Sequence, residues 1–76
     1  MTFTEAVKAM ENGSFVRRSG WSKNIRLYAE SKDGQRATIY AQIDSYEPEY
    51  AIFRLTDVYG DDWYIIDENN TTDDEL

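Results

Sequence analysis

The absence of cysteine and histidine is the feature that most limits how this chain can fold. None of its 76 residues is of either type, so no disulfide and no Cys or His metal site can stabilise it. A domain of this size buries only about 60% of the surface that its unfolded chain exposes. We therefore expect subunit contacts to supply further buried area, and we predict a homo-oligomer.

The same two absences exclude several classes of chemistry. Zinc sites built on Cys or His, Cys nucleophiles, Ser-His-Asp triads and histidine general bases all need residues that the chain lacks. No apolar run is long enough to span a membrane, and the first residues lack the basic and apolar segments of a signal peptide. We predict a cytoplasmic protein with no cofactor, no metal site, no catalytic residue and no membrane contact.

Charged residues divide the chain into a basic stretch and an acidic one. The formal net charge is −7, yet six of the eight basic residues lie between positions 17 and 36, and every charged residue from position 57 onward is acidic. Because a nucleic-acid polymer is held by neutralising many phosphates at once, this pattern suits a small anion better than a polymer. The alternatives are a solvated charged surface, or pairing of the basic stretch of one subunit with the acidic stretch of another.

Hydrophobic periodicity predicts one helix followed by strands. Thr2 and Glu5 have the spacing of a capping box, apolar residues follow at helical intervals over residues 4–12, and Gly13 supplies the stop. Alternating apolar and polar residues predict strands over residues 14–18, 25–30, 36–44, 50–55 and 63–67. The second and third strands are expected to pair as a hairpin around the turn at Asp33-Gly34, and residues 56–62 are expected to break the sheet.

These elements predict an α+β fold in which one short N-terminal helix packs on an antiparallel sheet of four to five strands. We expect one domain over residues 1–67 and a disordered acidic tail over residues 68–76. The sheet face away from the helix would stay open and carry Tyr28 and Tyr40, with Thr38 and Gln42 beside them. Such a face suits a ligand or a second subunit.

The strongest candidate for a binding site is the segment 17–24, which sets an aromatic ring beside cations and small polar side chains. Trp21 can stack on a nucleobase, an interaction worth about 1–3 kcal/mol. Arg17, Arg18 and Lys23 can bind phosphate oxygens, and Asn24 can hydrogen-bond a ribose. The competing interpretation is that Trp21 belongs to the core and that the arginines are solvated residues of an edge strand.

Asp57, Asp61 and Asp62 form a second group of candidate residues. Their spacing matches no calcium-binding loop, and a catalytic carboxylate pair cannot be assigned without the separation of the two groups. Asp side chains commonly accept hydrogen bonds from backbone amides at turns and helix ends. A turn or capping role is therefore favoured over a metal or catalytic one.

Both ends of the chain carry short motifs that occur together in one known family. The motifs are Phe3-Thr4-Glu5-Ala6, Gly13, Val16-Arg17-Arg18-Ser19-Gly20-Trp21, Thr56-Asp57 and Asp61-Asp62-Trp63. This combination resembles the phage Thoeris anti-defence type-two sponge family, and the resemblance covers about half of the chain. Residues 32–50 are not aligned by it.

The resemblance implies a protein that binds a cyclic nucleotide immune messenger, either a cyclic ADP-ribose isomer or a cyclic oligonucleotide, and does not cleave it. It also implies a homotetramer with the ligand at a subunit boundary, so a dimer or a tetramer is expected. Carried over by position, Trp21 would stack on the base and Arg17 or Arg18 would meet the phosphates. The segment Asp61-Asp62 would close the pocket or orient Trp63. Because Trp63 opens the last strand with Ile65 on the same face, we expect Trp63, more than Trp21, to be a core residue. The messenger would be sequestered in the cytoplasm of an infected bacterial host.

Two other function classes stay open. The first is a protein-binding inhibitor whose acidic C-terminal half and tail occupy a nucleic-acid groove on a host enzyme. The second is an enzyme with a carboxylate-only site built between subunits. A ligand-dependent gain in thermal stability would favour the sponge, a salt-sensitive host partner would favour the inhibitor, and product formation would favour the enzyme.

Overall fold

A computed structural model describes residues 1–31 and 37–66 of the chain. Its elements in chain order are α1 (Phe3–Glu11), β1 (Phe15–Arg18), β2 (Ile25–Ser31), β3 (Ala37–Ile43), β4 (Glu49–Tyr50), α2 (Leu55–Tyr59) and β5 (Trp63–Ile66). The α+β architecture is the predicted one, with the short helix α2 as an addition. The turn predicted at Asp33-Gly34 and the acidic tail predicted over residues 68–76 lie outside the described residues.

The five strands form one antiparallel sheet in the order β4-β3-β2-β1-β5. The predicted hairpin of β2 and β3 is confirmed, and it places Leu27 opposite Ala41 and Tyr28 opposite Tyr40. On its other side, β1 pairs with β5, where Arg18 lies opposite Trp63. The last strand therefore lies beside the first, and this pairing brings the segment 17–24 next to the acidic residues that precede β5.

Helix α1 begins at the capping box that the sequence predicts. Oγ1 of Thr2 accepts a hydrogen bond from the Glu5 N–H at 3.2 Å, and Oε1 of Glu5 accepts one from the Thr2 N–H at 2.7 Å. Ala6 and Met10 lie one turn apart and are buried. Gly13 follows the helix with a φ of 93°, a left-handed conformation that favours glycine. In the described ranges, no helix is long and apolar enough to cross a membrane.

The core lies between α1 and one face of the sheet. Val16, Leu27 and Trp63 come from three strands, and each is almost completely buried. Phe3 of α1 packs edge-on against the Trp63 ring with 5.6 Å between centroids, and the Trp63 indole donates its N–H to the backbone oxygen of Asp57 at 2.9 Å. The prediction that Trp63 is a core residue is confirmed.

The strand predicted over residues 50–55 is wrong. The strand β4 ends at Tyr50, and the chain then leaves the sheet and enters helix α2. The cause is Asp57, whose Oδ2 accepts a hydrogen bond from the Arg54 N–H at 2.9 Å and so satisfies a backbone donor at the start of this helix. Leu55, the last residue of the predicted strand, instead begins α2 and is 73% exposed.

The open face of the sheet carries a ladder of tyrosine rings. Tyr28, Tyr40 and Tyr50 stack across β2, β3 and β4 with 5.7 Å and 5.6 Å between successive centroids. Phe15 of β1 contacts Tyr28 edge-on at 5.7 Å, and the Arg26 guanidinium lies 4.7 Å from the centroid of Phe15. The prediction that Tyr28 and Tyr40 share this face is confirmed by their cross-strand pairing.

Candidate ligand-binding site

Residues 19–24 connect β1 to β2 and present Trp21 at the edge of the core. Two successive turns shape this connection, because the Trp21 N–H donates to the Arg18 oxygen and the Ile25 N–H donates to the Ser22 oxygen, both at 3.1 Å. Gly20 occupies the third position of the first turn with a φ of 93°, which a side chain would disfavour. The local sequence therefore fixes where the indole can lie.

Trp21 is half-buried and has two different surroundings. One part of the ring packs against the core, edge-on to Trp63 with 5.2 Å between centroids. The other part opens on two pockets, and the Trp21 indole N–H makes no hydrogen bond to a described residue. One side of the ring therefore belongs to the core, and the other side is accessible from the two pockets. The interpretation of the arginines as solvated residues of an edge strand is wrong, because β1 lies between β2 and β5 and Arg17 is buried.

The first pocket, called the apolar pocket below, has a volume of about 330 Å³. It is lined by Trp21, Ser22, Ile25, Leu27, Ala41, Glu49, Tyr50 and Ile52. The second, called the cationic pocket, has a volume of about 540 Å³ and is lined by Arg18, Trp21, Ile52, Arg54, Thr56 and Asp57. Because Trp21 and Ile52 line both, the pockets adjoin. The indole therefore lies between an apolar compartment and one that contains two guanidinium groups.

Arg18 connects β1 to the segment that carries α2. Its Nε donates to Oδ1 of Asp62 at 2.7 Å, and its Nη1 donates to Oδ1 of Asp57 at 2.9 Å and to the backbone oxygen of Thr56 at 3.1 Å. Gly60 lies against this guanidinium, since a Cβ on Gly60 would come within 2.6 Å of Arg18 Nη2. The basic and acidic stretches of the sequence therefore meet at this point within a single chain.

The Arg18 contacts change the ionisation of both carboxyl groups. The hydrogen bond from Arg18 is the largest cause of the lowered pKa of Asp62, and the bond to Asp62 raises the pKa of Arg18 in return. Burial raises the pKa of Asp57, but hydrogen bonds from the Arg54 N–H and from Arg18 outweigh it and hold that pKa below its ordinary value. Both carboxylates are accordingly charged at neutral pH.

Arg17 does not line either pocket. It is only 5% exposed, and its Nε donates to the Tyr64 hydroxyl at 2.6 Å while its Nη1 donates to the Lys23 backbone oxygen at 2.8 Å. The guanidinium carbon lies 5.4 Å from the centroid of the Tyr64 ring. Arg17 thus joins β5 to the loop that carries Trp21.

Three other predicted site residues also lie outside the lining of the two pockets. Lys23 is exposed in the loop, and Asn24 donates from Nδ2 to Oδ2 of Asp44 at 3.0 Å. Tyr28 belongs to the tyrosine ladder on the opposite face of the sheet. The structure therefore brings Arg18 and Trp21 together at one site and places Lys23, Asn24 and Tyr28 elsewhere.

The acidic residues near β5 have structural contacts. Asp61 is exposed, and its backbone oxygen accepts a hydrogen bond from the ammonium group of Met1 at 3.0 Å. Asp62 pairs with Arg18 as described above, and Asp57 receives the Arg54 N–H at the start of α2. The capping interpretation is therefore confirmed for Asp57, whereas Asp62 forms an ion pair and Asp61 contributes its backbone oxygen. Neither Asp61 nor Asp62 lines one of the two pockets.

Sequence reasoning missed several residues that line the pockets, among them four that lie just before helix α2. Glu49, Tyr50, Ile52 and Arg54 were assigned to a loop and a strand instead of to a site. The signal that could have identified them is Asp57, which stands three residues after Arg54 in the spacing of a helix start. A helix start at Arg54 implies that the strand ends before it, and in the structure Ile52 and Arg54 lie between β4 and α2 and line the pockets together with Trp21.

The family of the chain follows from a match that covers most of its length. A family model described as Tad2-like, Thoeris anti-defense 2-like domain, matches residues 1–66. The chain belongs to this family. The match extends across the middle segment that the sequence motifs left unaligned, and it gives this Tad2-like domain an anti-defence function directed at Thoeris, in agreement with a phage protein. No curated protein matches the chain.

Proposed function

We propose that this anti-defence protein binds and sequesters a cyclic nucleotide immune messenger, either a cyclic ADP-ribose isomer or a cyclic oligonucleotide, without cleaving it. The observation that carries the proposal is the open side of Trp21, which lies between the apolar pocket and the cationic pocket. A nucleotide matches these two pockets, because it joins a flat base through a sugar to an anionic phosphate. The family membership supports the anti-defence context for such a ligand.

Each pocket supplies one kind of contact. In the apolar pocket, Trp21 offers aromatic surface to a base, and Ser22 and Glu49 supply polar groups at the rim. In the cationic pocket, guanidinium groups face the position that a phosphate would take. Sequestration then works by mass action, so the protein needs affinity and abundance and does not need turnover.

The state of Asp57 and Asp62 argues against either of them acting as a general acid. A general acid has to hold a proton near neutral pH, yet the pKa values of Asp57 and Asp62 are lowered. Both oxygens of Asp57 already accept hydrogen bonds, from Arg18 and from the Arg54 N–H. The carboxylate that lines the cationic pocket is thus engaged in holding the pocket together.

A homo-oligomer, expected as a dimer or a tetramer, is part of the proposal. Next to the pockets, Ile52 is 88% exposed, Leu55 is 73% exposed and Tyr59 is 80% exposed. Apolar side chains grouped in this way commonly mark an interface. Light scattering of the Leu55→Glu variant should report a smaller species than the wild type, whereas Thr4→Glu, which adds the same charge on exposed α1, should leave the assembly intact. If the wild type is a monomer at all concentrations, the proposed homo-oligomer is refuted.

The test of binding is a thermal-shift panel of cyclic ADP-ribose isomers and cyclic dinucleotides. A ligand present at 100 times its Kd adds about 2.7 kcal/mol to the free energy of unfolding, and we expect at least one member of the panel to do so. Mass spectrometry of the heat-released ligand should recover it intact. A product of altered mass would point to an enzyme, and the absence of any shift would remove the sponge.

The matched variants are Trp21→Ala and Tyr46→Ala. Both remove an aromatic ring, but Tyr46 is 71% exposed and lines neither of the two pockets. We expect Trp21→Ala to abolish the ligand-dependent shift while the variant still shows a cooperative transition, and Tyr46→Ala to keep the shift. Retained binding in Trp21→Ala would place the site elsewhere.

A further inference from the structure

We infer that Arg54, a residue outside the sequence motifs of the site, is the phosphate-binding cation of the cationic pocket. This inference rests on the proposed function and adds to it the orientation of the ligand, with the base against Trp21 and the phosphate at Arg54. It also reverses the expectation from the sequence that Arg17 or Arg18 meets the phosphates. The guanidinium groups of Arg17, Arg18 and Arg54 differ in what they already contact.

Arg17 and Arg18 both have structural partners. Arg17 is almost completely buried and donates to the Tyr64 hydroxyl and to the backbone oxygen of Lys23. Arg18 lines the cationic pocket, but it forms ion pairs of 2.9 Å with Asp57 and 2.7 Å with Asp62. A phosphate could recruit either guanidinium fully only by breaking contacts that hold β5 or α2 in place.

Arg54 differs from both. It is exposed, it lines the cationic pocket together with Trp21, and its side chain makes no hydrogen bond or ion pair to any residue of the described part. Its backbone is nevertheless fixed, because the Arg54 N–H donates to Oδ2 of Asp57 at 2.9 Å. A fixed backbone with an uncommitted planar guanidinium is suited to binding a phosphate through two parallel hydrogen bonds.

The negative charge of Asp57 does not block this role. Oδ1 of Asp57 is 2.9 Å from Arg18 Nη1, and Oδ2 accepts the backbone N–H of Arg54, so both oxygens are turned to partners inside the protein. The lining of the cationic pocket carries two guanidinium groups and this one carboxylate. Arg54 contributes to the lowered pKa of Asp57 but makes no ion pair with it in the described part, so its guanidinium keeps its hydrogen-bond donors for a ligand.

The experiment compares two probes on wild type, Arg54→Gln and a control variant. Cyclic ADP-ribose carries a base and a pyrophosphate, whereas adenosine carries a base without phosphate. We expect Arg54→Gln to lower the affinity for cyclic ADP-ribose by roughly tenfold or more, because charge-assisted hydrogen bonds are the stronger class. The affinity for adenosine should change by less than about twofold. Arg54→Lys, which keeps the charge and loses the fork, should fall between wild type and Arg54→Gln.

The control is Lys8→Gln, which removes one positive charge from the exposed side of α1. It should leave both affinities within about twofold of wild type. If wild type binds cyclic ADP-ribose and Arg54→Gln binds it equally well, the role of Arg54 is refuted and the proposed function stands. If Arg54→Gln weakens both probes equally, the residue acts on the pocket shape and the inference fails. If wild type binds neither probe and no member of the thermal-shift panel, the proposed function fails with it.

Discussion

The two tryptophans allow one substitution to be compared at two neighbouring positions. Trp63 is 2% exposed and its indole N–H is bonded to a buried carbonyl, whereas Trp21 is half-buried with no such bond. The two rings touch, with 5.2 Å between centroids. Replacing each with phenylalanine therefore tests whether Trp63 belongs to the core and Trp21 to the site.

The expected cost follows from these contacts. In Trp63→Phe, the backbone oxygen of Asp57 loses its buried donor, which costs about 1–3 kcal/mol. Two fewer buried ring carbons cost about 1.6 kcal/mol at roughly 0.8 kcal/mol each. The total, about 2.6–4.6 kcal/mol, is a large part of the roughly 4–11 kcal/mol expected for a chain of 76 residues. In Trp21→Phe no hydrogen bond is lost, and we expect the free energy of unfolding to fall by about 1 kcal/mol or less.

Urea denaturation followed by the fluorescence of the remaining tryptophan measures both values, because each variant keeps one indole. Trp63→Phe should shift the transition to clearly lower urea, and Trp21→Phe should change it little. An equal or larger loss in Trp21→Phe would mean that residue 21 is a core residue. A loss of less than about 1 kcal/mol in Trp63→Phe would mean that its buried hydrogen bond contributes little.

Three further predictions concern the Arg18 contacts and the tyrosine ladder. Because the pKa values of Asp57 and Asp62 are lowered in the fold, the stability that they contribute is complete at a pH well above the unfolded pKa of about 3.9 and is lost as the pH falls below it. Asp62→Asn should therefore lose less free energy of unfolding than wild type when the pH is lowered through this range. Gly60→Ala should lower the melting temperature, because the new methyl group would displace the Arg18 guanidinium, and an unchanged value would contradict that contact. Tyr40→Ala should lower the free energy of unfolding measured in urea by about 1–3 kcal/mol, since it removes the middle ring of the stack. An unchanged value would show that the tyrosine ladder does not stabilise the sheet.

The sequence predicted those elements whose signals are local. The capping box of Thr2 and Glu5 fixes the start of α1, and the strict alternation over residues 25–30 fixes which face of β2 meets the helix. Trp63 was assigned to the core because it opens an apolar strand. In each case the pattern and the tertiary contacts agree.

The sequence could not predict the contacts that depend on the pairing of distant segments. The alternation of Ala51, Phe53 and Leu55 indicates a strand, and the capping of Arg54 by Asp57 overrides it. The motif around Trp21 likewise could not show which arginine is free, because the partners of Arg18 lie about forty residues away. Charge patterning located the basic segment 17–36, but Arg54 lies outside it. Only the three-dimensional contacts show that Arg54 lines the cationic pocket and that Arg17 has a structural role.

The central claim is that the open side of the Trp21 ring receives the flat part of a nucleotide messenger. The most direct measurement is a fluorescence titration of wild type and Trp21→Phe with a cyclic ADP-ribose isomer or a cyclic dinucleotide, with Trp63 as the internal reference. We predict saturable quenching in wild type that disappears in Trp21→Phe, since a base stacked on this indole changes its emission. Identical quenching in the two proteins, or none in wild type across both ligand classes, would contradict the claim.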